Sequence, residues 1–379
     1  MTPVALTFAV LSRWGASELG VVLAAETVPL ICLLLVGGAV SDRLSRQTVM
    51  IASDALRAVS QCALGAWIIL GSPSLIAFMV FSCILGIGQA FFSPALSGLV
   101  KELLSPAEIQ QGNALNGLAS SVGVAVGPAL AGVIIAFSNP GVAIAVDGAT
   151  YIASALLLLS IRIRWPRIHT DEGMMRLMKD GWAEFTSRTW LWVSIVGFSL
   201  INVFIFAPFL VLGPTLADAY LGGARSWGFI ASAEGIGSIA GGLAMMRKDF
   251  RRPLFVALLC ALVWTIPLAL LAVEAPLSLL LPSALLSGIS LSVLSVLWST
   301  TVQREVPAEC LSRVSSYDWF GSLALLPIGM AVIGPLSTTI GIVTTMVASI
   351  VAIVIVVLVM ISLPSIWRLK PEPRASVRD

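Results

Sequence analysis

Residues 17–46 read SELGVVLAAETVPLICLLLVGGAVSDRLSR. Between Leu19 and Val40 the only charged side chain is Glu26, and the run then stops at Asp42, Arg43 and Arg46. A bilayer core needs about 20 apolar residues of helix, each rising about 1.5 Å. The stretch therefore spells one membrane crossing followed by a short polar turn. Its apolar residues are continuous, whereas a barrel strand would alternate every second residue. Outward from it, further runs lie near 47–70, 74–99, 112–137, 141–162, 190–214, 226–246, 254–273, 276–301, 314–336 and 340–363. With the 17–40 run these make eleven full spans, and Met1 to Leu11 adds a run of half the needed length.

The composition agrees with that reading. Of 379 residues, 58% are apolar and 11% charged, where a soluble domain carries about 25% charged residues. Mean hydropathy is +0.99. A soluble enzyme, a disordered chain and a nucleic-acid binder are excluded, and a net charge of +2 is too small to seek a polyanion. The five cysteines form no CxxC pair and His169 stands alone, so no metal site and no cofactor are expected. No secretory signal precedes the first run. The fold class is an all-α polytopic membrane protein.

Basic residues set the orientation. With the 40–47 loop placed in the cytoplasm and loops alternating, 19 of the 22 Lys and Arg residues fall on cytoplasmic segments. Only Arg13 and Arg225 fall outside, and Arg57 lies within a span. That asymmetry obeys the positive-inside rule. It predicts a cytoplasmic (inner) membrane protein with a cytoplasmic C-terminus.

Internal similarity points to duplication. Gly38 to Arg43 resembles Gly242 to Arg247 at an offset of 204, Pro106-Ala-Glu108 recurs as Pro307-Ala-Glu309 at 201, and Gly127-Pro128 recurs as Gly334-Pro335 at 207. Offsets this similar argue for parallel repeats. The expected organisation is a first bundle over 1–162, a cytoplasmic linker over 163–189, a second bundle over 190–366 and a cytoplasmic tail over 367–379. The linker reads either as an interfacial amphipathic helix or as a solvated loop. Subtracting 204 from the 190–214 span gives about −14 to 10, so the first helix is expected to be only half present, either with translation starting upstream of Met1, the favoured reading, or in a truncated form.

The segment Gly37-Gly38-Ala39-Val40-Ser41-Asp42-Arg43-Leu44-Ser45-Arg46 resembles the signature that major facilitator superfamily transporters carry between their second and third helices. Asp54 and Arg57 within Ala52 to Arg57, Val146-Asp147, Val306-Pro307-Ala308-Glu309 and Arg313-Val314 resemble the macrolide-efflux and enterobactin-exporter-like branch of drug:proton antiporters. The resemblance implies the major facilitator fold, two six-helix bundles as parallel repeats. It also implies that Gly38, Asp42, Arg43 and Arg46 latch the halves on the cytoplasmic side; the alternative is that the arginines only set topology. Met246 stands where the first repeat has Asp42, so a latch is expected in one half only. Gly123, Gly127, Pro128 and Gly132 resemble the antiporter signature, which implies a hinge; small residues four apart are also ordinary helix packing. Gly235, Gly237 and Gly241 read as packing, because they lack dinucleotide-loop spacing.

Charges inside spans are costly and face a cavity or a partner. Glu26 lies about 14 Å from the outer end of its helix, Glu234 about 12 Å and Asp147 about 9 Å. These three are the candidate proton or cationic-substrate sites. Glu26 and Glu234 lead because they occupy second spans of the two halves, and the alternative is that one is simply buried against a donor. Asp54 and Arg57, three apart on one helix, read first as an intramembrane pair. Trp67, Phe91, Phe92, Phe198, Phe204, Phe206, Trp298 and Trp319 fall in or at the ends of spans, as do the polar Gln89 and Asn202. No Walker motif is present. The expected function is a monomeric secondary transporter, not an enzyme, exporting an amphipathic drug-like or macrolide-like molecule by proton antiport. Its partners are a small-molecule substrate, protons and the lipid bilayer, with no nucleic acid. The rivals are export of a siderophore or lysolipid, and a transporter-like sensor or scaffold that moves nothing.

Overall fold

The computed structural model is all-helical. It describes residues 1–103, 109–161, 185–245, 250, 252–306, 314, 317–318 and 320–364, and among these there is no strand. The helices are α1 (Thr2–Leu11), α2 (Ala16–Arg43), α3 (Arg46–Leu70), α4 (Leu75–Leu103), α5 (Ile109–Phe137), α6 (Pro140–Ser160), α7 (Thr189–Tyr220), α8 (Ala224–Met245), α9 (Pro253–Ala272), α10 (Leu277–Glu305), α11 (Phe320–Ile340) and α12 (Ile342–Ser362). Ten described helices are long and apolar enough to cross a membrane. α1 is too short, and α3 falls below the hydropathy of the others although the sequence predicts a span there. The reason is that α3 turns Ser53, Asp54, Arg57, Ser60 and Gln61 into the bundle. Polar groups that face protein spare the helix their exposure to hydrocarbon.

Local chemistry explains the helix ends. Ser45 caps α3 by accepting from the Thr48 N–H, and Asn139 caps α6 by accepting from Val142 N–H at 3.1 Å. The Gln47 side-chain amide donates to the carbonyls of Leu158 and Ile161, closing the end of α6. α7 runs to Tyr220, beyond the predicted 190–214, by passing through a π-helical turn at Pro208–Leu212. Pro208 brings no N–H to the ladder, and such turns absorb the mismatch. The break between α11 and α12 falls at Gly341, at φ 90°, where a glycine backbone is at ease. The predicted 163–189 linker lies outside the described residues up to 184, and the 367–379 tail lies outside them entirely.

The two halves repeat one packing scheme. In the first, α2 packs on α4, α3 on α4 and α6, and α1 on α5 and α6. In the second, α8 packs on α10, α9 on α10 and α12, and α7 on α11 and α12. Leu6, Leu19, Leu64, Phe78 and Ile144 form the dry interior of one half; Ile201, Leu212, Trp264, Leu268 and Leu280 fill the other. The halves meet through α2 against α11 and α5 against α8. The register of these contacts corrects the repeat. A methyl at Gly86 would collide with the carbonyl of Glu26, and one at Gly288 with that of Glu234. Glu26 thus pairs with Glu234 at an offset of 208, and Gly86 with Gly288 at 202. The α2 match is therefore one helical turn longer than the sequence comparison suggests. In α5, Gly132 and not Gly127 corresponds to Gly334, because Gly132 meets Ala224 as Gly334 meets Ala16. Insertions in the loops shift each helix separately, so no single offset fits the chain.

Candidate functional site

The first half holds a buried polar network on α3, α4 and α6. Asp54 is 0% exposed and Arg57 4% exposed. They pair at 2.5 Å on one face of α3. The other Asp54 oxygen accepts from Ser154 Oγ on α6 at 2.6 Å. Arg57 Nη1 donates to Gln89 Oε1 on α4 at 2.7 Å, and Gln89 donates onward to Ser93 Oγ. The guanidinium lies between the rings of Phe92 and Tyr151, 4.3 and 4.5 Å from their centroids. Gly88 leaves the room for its stem, since a methyl there would stand 2.6 Å from Arg57 Cγ. Each ring contact is worth roughly 0.5–2 kcal/mol once desolvated. The arginine is held as part of the wall.

Asp147 lies on the same face of α6, one turn before Tyr151. It accepts a hydrogen bond from Thr2 Oγ1, and the amino group of Met1 stands 3.5 Å away. Its charge acts on Glu26 of α2 and on Tyr151, so the three share one electrostatic neighbourhood. Glu26 and Glu234 are each half-buried, ten residues from the first residue of their helices, a depth of about 15 Å. Among the described residues neither has a hydrogen-bond or ion-pair partner. Each sits where its helix is pinned, by its own carbonyl, against a glycine of the neighbouring helix.

The contacts between halves gather toward the end that carries the 12–15 and 221–223 loops. There Gly20 abuts Met330, Gly334 abuts Ala16, Gly228 lies against the Pro128 carbonyl and Gly132 against the Ala224 carbonyl. Small residues let the backbones touch. Nearer the basic-loop end, α5 carries an uncovered surface. Ala119, Ser120, Val122, Gly123 and Val124 are exposed, and a methyl at Gly123 would meet nothing within 4 Å. The predicted hinge residues therefore divide. Pro128 and Gly132 lie in the seam between halves, Gly127 faces Met1, and Gly123 stands in open space. Arg46 opens α3. Gly38, Asp42 and Arg43 lie on the last turns of α2, and the side chains of Asp42 and Arg43 lie outside what is described, as does Met246. The two predicted ionic groups of the first half come together; Glu234 stays apart from them in the second.

The second half lines a partly open cavity of about 500 Å³ between α7, α9, α10 and the start of α11. Phe198, Phe206, Trp264 and Trp298 are the aromatic residues of its wall, and Asn202 and Asp318 are among the polar ones. Trp298 Nε1 donates to Asp318 Oδ2 at 2.8 Å, and Ser322 Oγ to Oδ1 at 3.2 Å. The Phe198 and Trp298 rings meet edge to face at 5.0 Å. Asp318 is the residue that sequence reasoning passes over. It lies near the start of the predicted 314–336 span, where a charge reads as loop, and its partner Trp298 is 20 positions away.

Two bundles of the same packing, meeting in paired seams, are the frame of an alternating-access carrier, and the sequence match decides which. Residues 1–324 match the family pattern described as Major Facilitator Superfamily. The chain belongs to that superfamily. It is 23% identical to the multidrug efflux pump Tap of Mycolicibacterium fortuitum, over 97% of this chain and 93% of Tap. It is 24% identical to the putative bacilysin exporter BacE of Bacillus subtilis, over 53% of this chain and 51% of BacE. Its fold is similar to the nucleoside transporter NupG, with a TM-score of 0.75 at 15% identity, covering 97% of this chain and 94% of NupG. A bacterial homologue of the lysosomal transporter Spinster, in an inward-facing unoccupied form, gives 0.68 at 14% identity over 98% of both chains. This major facilitator is thus a multi-pass membrane protein of a transporter family, and its substrates are small molecules.

Proposed function

We propose that this chain is an inner-membrane exporter of amphipathic small molecules, driven by proton antiport. The observation that carries the reading is the matched pair Glu26 and Glu234, without a partner among the described residues, at the same depth in the two halves and on the helices that form the seams. A carboxylate without a partner in a membrane interior is a natural proton carrier. Rocking about the seams exposes it to each side in turn. The efflux pump and exporter among its relatives support the direction of transport. With the basic end in the cytoplasm, the seam contacts among the described residues lie toward the outer side. Arg57 is already engaged by Asp54 and Gln89. That argues against an anionic cargo such as a siderophore.

The test is growth of an efflux-deficient bacterial host on a chemically diverse toxin panel, followed by proton-driven uptake into inside-out vesicles. The expected result is protection from a few lipophilic compounds, with Glu26→Gln or Glu234→Gln abolishing the dependence of uptake on the proton gradient. Normal coupling in both variants overturns the proton assignment. A well-expressed chain that protects against nothing and moves nothing in vesicles turns the reading toward a non-transporting sensor or scaffold.

A further inference from the structure

We infer that the cavity of the second half is a binding site for a compact protonated amine carried on an apolar body, with Asp318 as its counter-charge. The cavity volume, about 500 Å³, lies within the range of pockets that hold drug-sized ligands. Its polar equipment is specific. Each oxygen of Asp318 accepts one hydrogen bond from the protein, one from Trp298 and one from Ser322. A carboxylate oxygen has two lone pairs, so each keeps one for a ligand. Both present donors are neutral, and among the described residues Asp318 has no cationic partner. Asn202, on the α7 wall, uses its side-chain N–H on the Ser322 carbonyl at 3.1 Å, and its own carbonyl oxygen has no partner among the described residues. The site is thus negative and rich in acceptors. An ammonium, with three N–H donors and no acceptor, is the complement.

The rest of the wall suits the body of such a ligand. Trp298 touches the carboxylate and Phe198 packs on Trp298 in the same wall, so a cation there gains from ring quadrupoles as well as from the charge. The Trp298 bond to Asp318 fixes that ring, so the aromatic wall and the carboxylate are aligned before the ligand arrives. The contrast with the first half is chemical. There the buried carboxylate Asp54 is matched by Arg57, while Asp318 has no cationic partner among the described residues. The site is confined to one half-bundle, away from the seams. This deepens the exporter reading and rests on it for the direction of transport, but binding is measurable without transport.

The experiment uses the full chain in nanodiscs at neutral pH, with equilibrium dialysis of naphthylethylamine and of its uncharged counterpart naphthylethanol. A charge-assisted hydrogen bond predicts that the amine binds about tenfold tighter than the alcohol. Asp318→Asn keeps an oxygen for Trp298 and removes the charge. It is expected to weaken the amine about tenfold and leave the alcohol within about threefold. Equal binding of amine and alcohol, or an unchanged amine in Asp318→Asn, overturns the assignment. In wild-type protein, which avoids any folding defect of the variant, the amine and not the alcohol is expected to slow carbodiimide labelling of Asp318, read by peptide mass spectrometry; labelling that the amine does not slow overturns it. Vesicles that transport while Asp318→Asn binds normally remove this site and keep the exporter. Binding lost in the variant, with no transport by any form, keeps the site and removes the exporter.

Discussion

Arg57 shows how a charge is kept inside a membrane bundle. It spends its donors on Asp54 and Gln89, and its faces on Phe92 and Tyr151. Removing one partner of a buried pair leaves the other charge uncompensated, at a cost of about 3–5 kcal/mol. Asp54→Asn is therefore expected to lower the unfolding midpoint in detergent by many degrees. The double variant Asp54→Leu with Arg57→Met is expected to recover most of that loss, because replacing both partners with apolar groups is close to neutral. If the double variant is stable but inactive in vesicles, the pair serves transport; if stable and active, it serves only the fold. The spacing of Asp54 and Arg57 made their pairing legible in sequence. Their ring and amide partners were not, because Gln89, Phe92 and Tyr151 come from α4 and α6.

At the level of helices, the seams decide which end of the molecule is shut. Gly228 on α8 stands 2.6 Å, measured from an added methyl carbon, from the carbonyl of Pro128 on α5. Nothing flexible can yield there, since the facing atom belongs to the α5 backbone. Gly228→Val is expected to part α5 from α8, at a cost of about 1–3 kcal/mol if the helices stay together. With spin labels at Phe137 and Ile340, the distance between the two halves at that end should lengthen in the variant. An unchanged distance distribution would show that the seam does not set the state. The sequence placed Gly123, Gly127, Pro128 and Gly132 in one motif, but packing separates them. Only Pro128 and Gly132 fall on the stripe that faces α8, because a helix shows its neighbour every third or fourth residue.

For the whole molecule, the basic asymmetry predicts the direction of insertion. Alkaline phosphatase fused after residue 366 should be inactive, and fused within the 12–15 or 221–223 loops it should be active, in line with positive-inside insertion. The reverse pattern would invert the chain and make the closed end cytoplasmic. The two halves share their packing but have diverged in chemistry. One buries an ion pair in the electrostatic neighbourhood of Glu26 and Asp147; the other keeps an aromatic cavity that includes Asp318.

The sequence by itself determined that this chain crosses the membrane many times, that it is doubled, and which carboxylates lie at depth. Those properties depend on run length, charge placement and approximate repeats, all of which are local along the chain. Only the tertiary structure decided that Glu26 matches Glu234 at an offset of 208, that Gly132 rather than Gly127 corresponds to Gly334, and that Asp318 meets Trp298 in a cavity. Loop insertions slide one helix against another by a turn without changing its composition. The facing residue is therefore fixed by packing between helices, and no single run of sequence contains it.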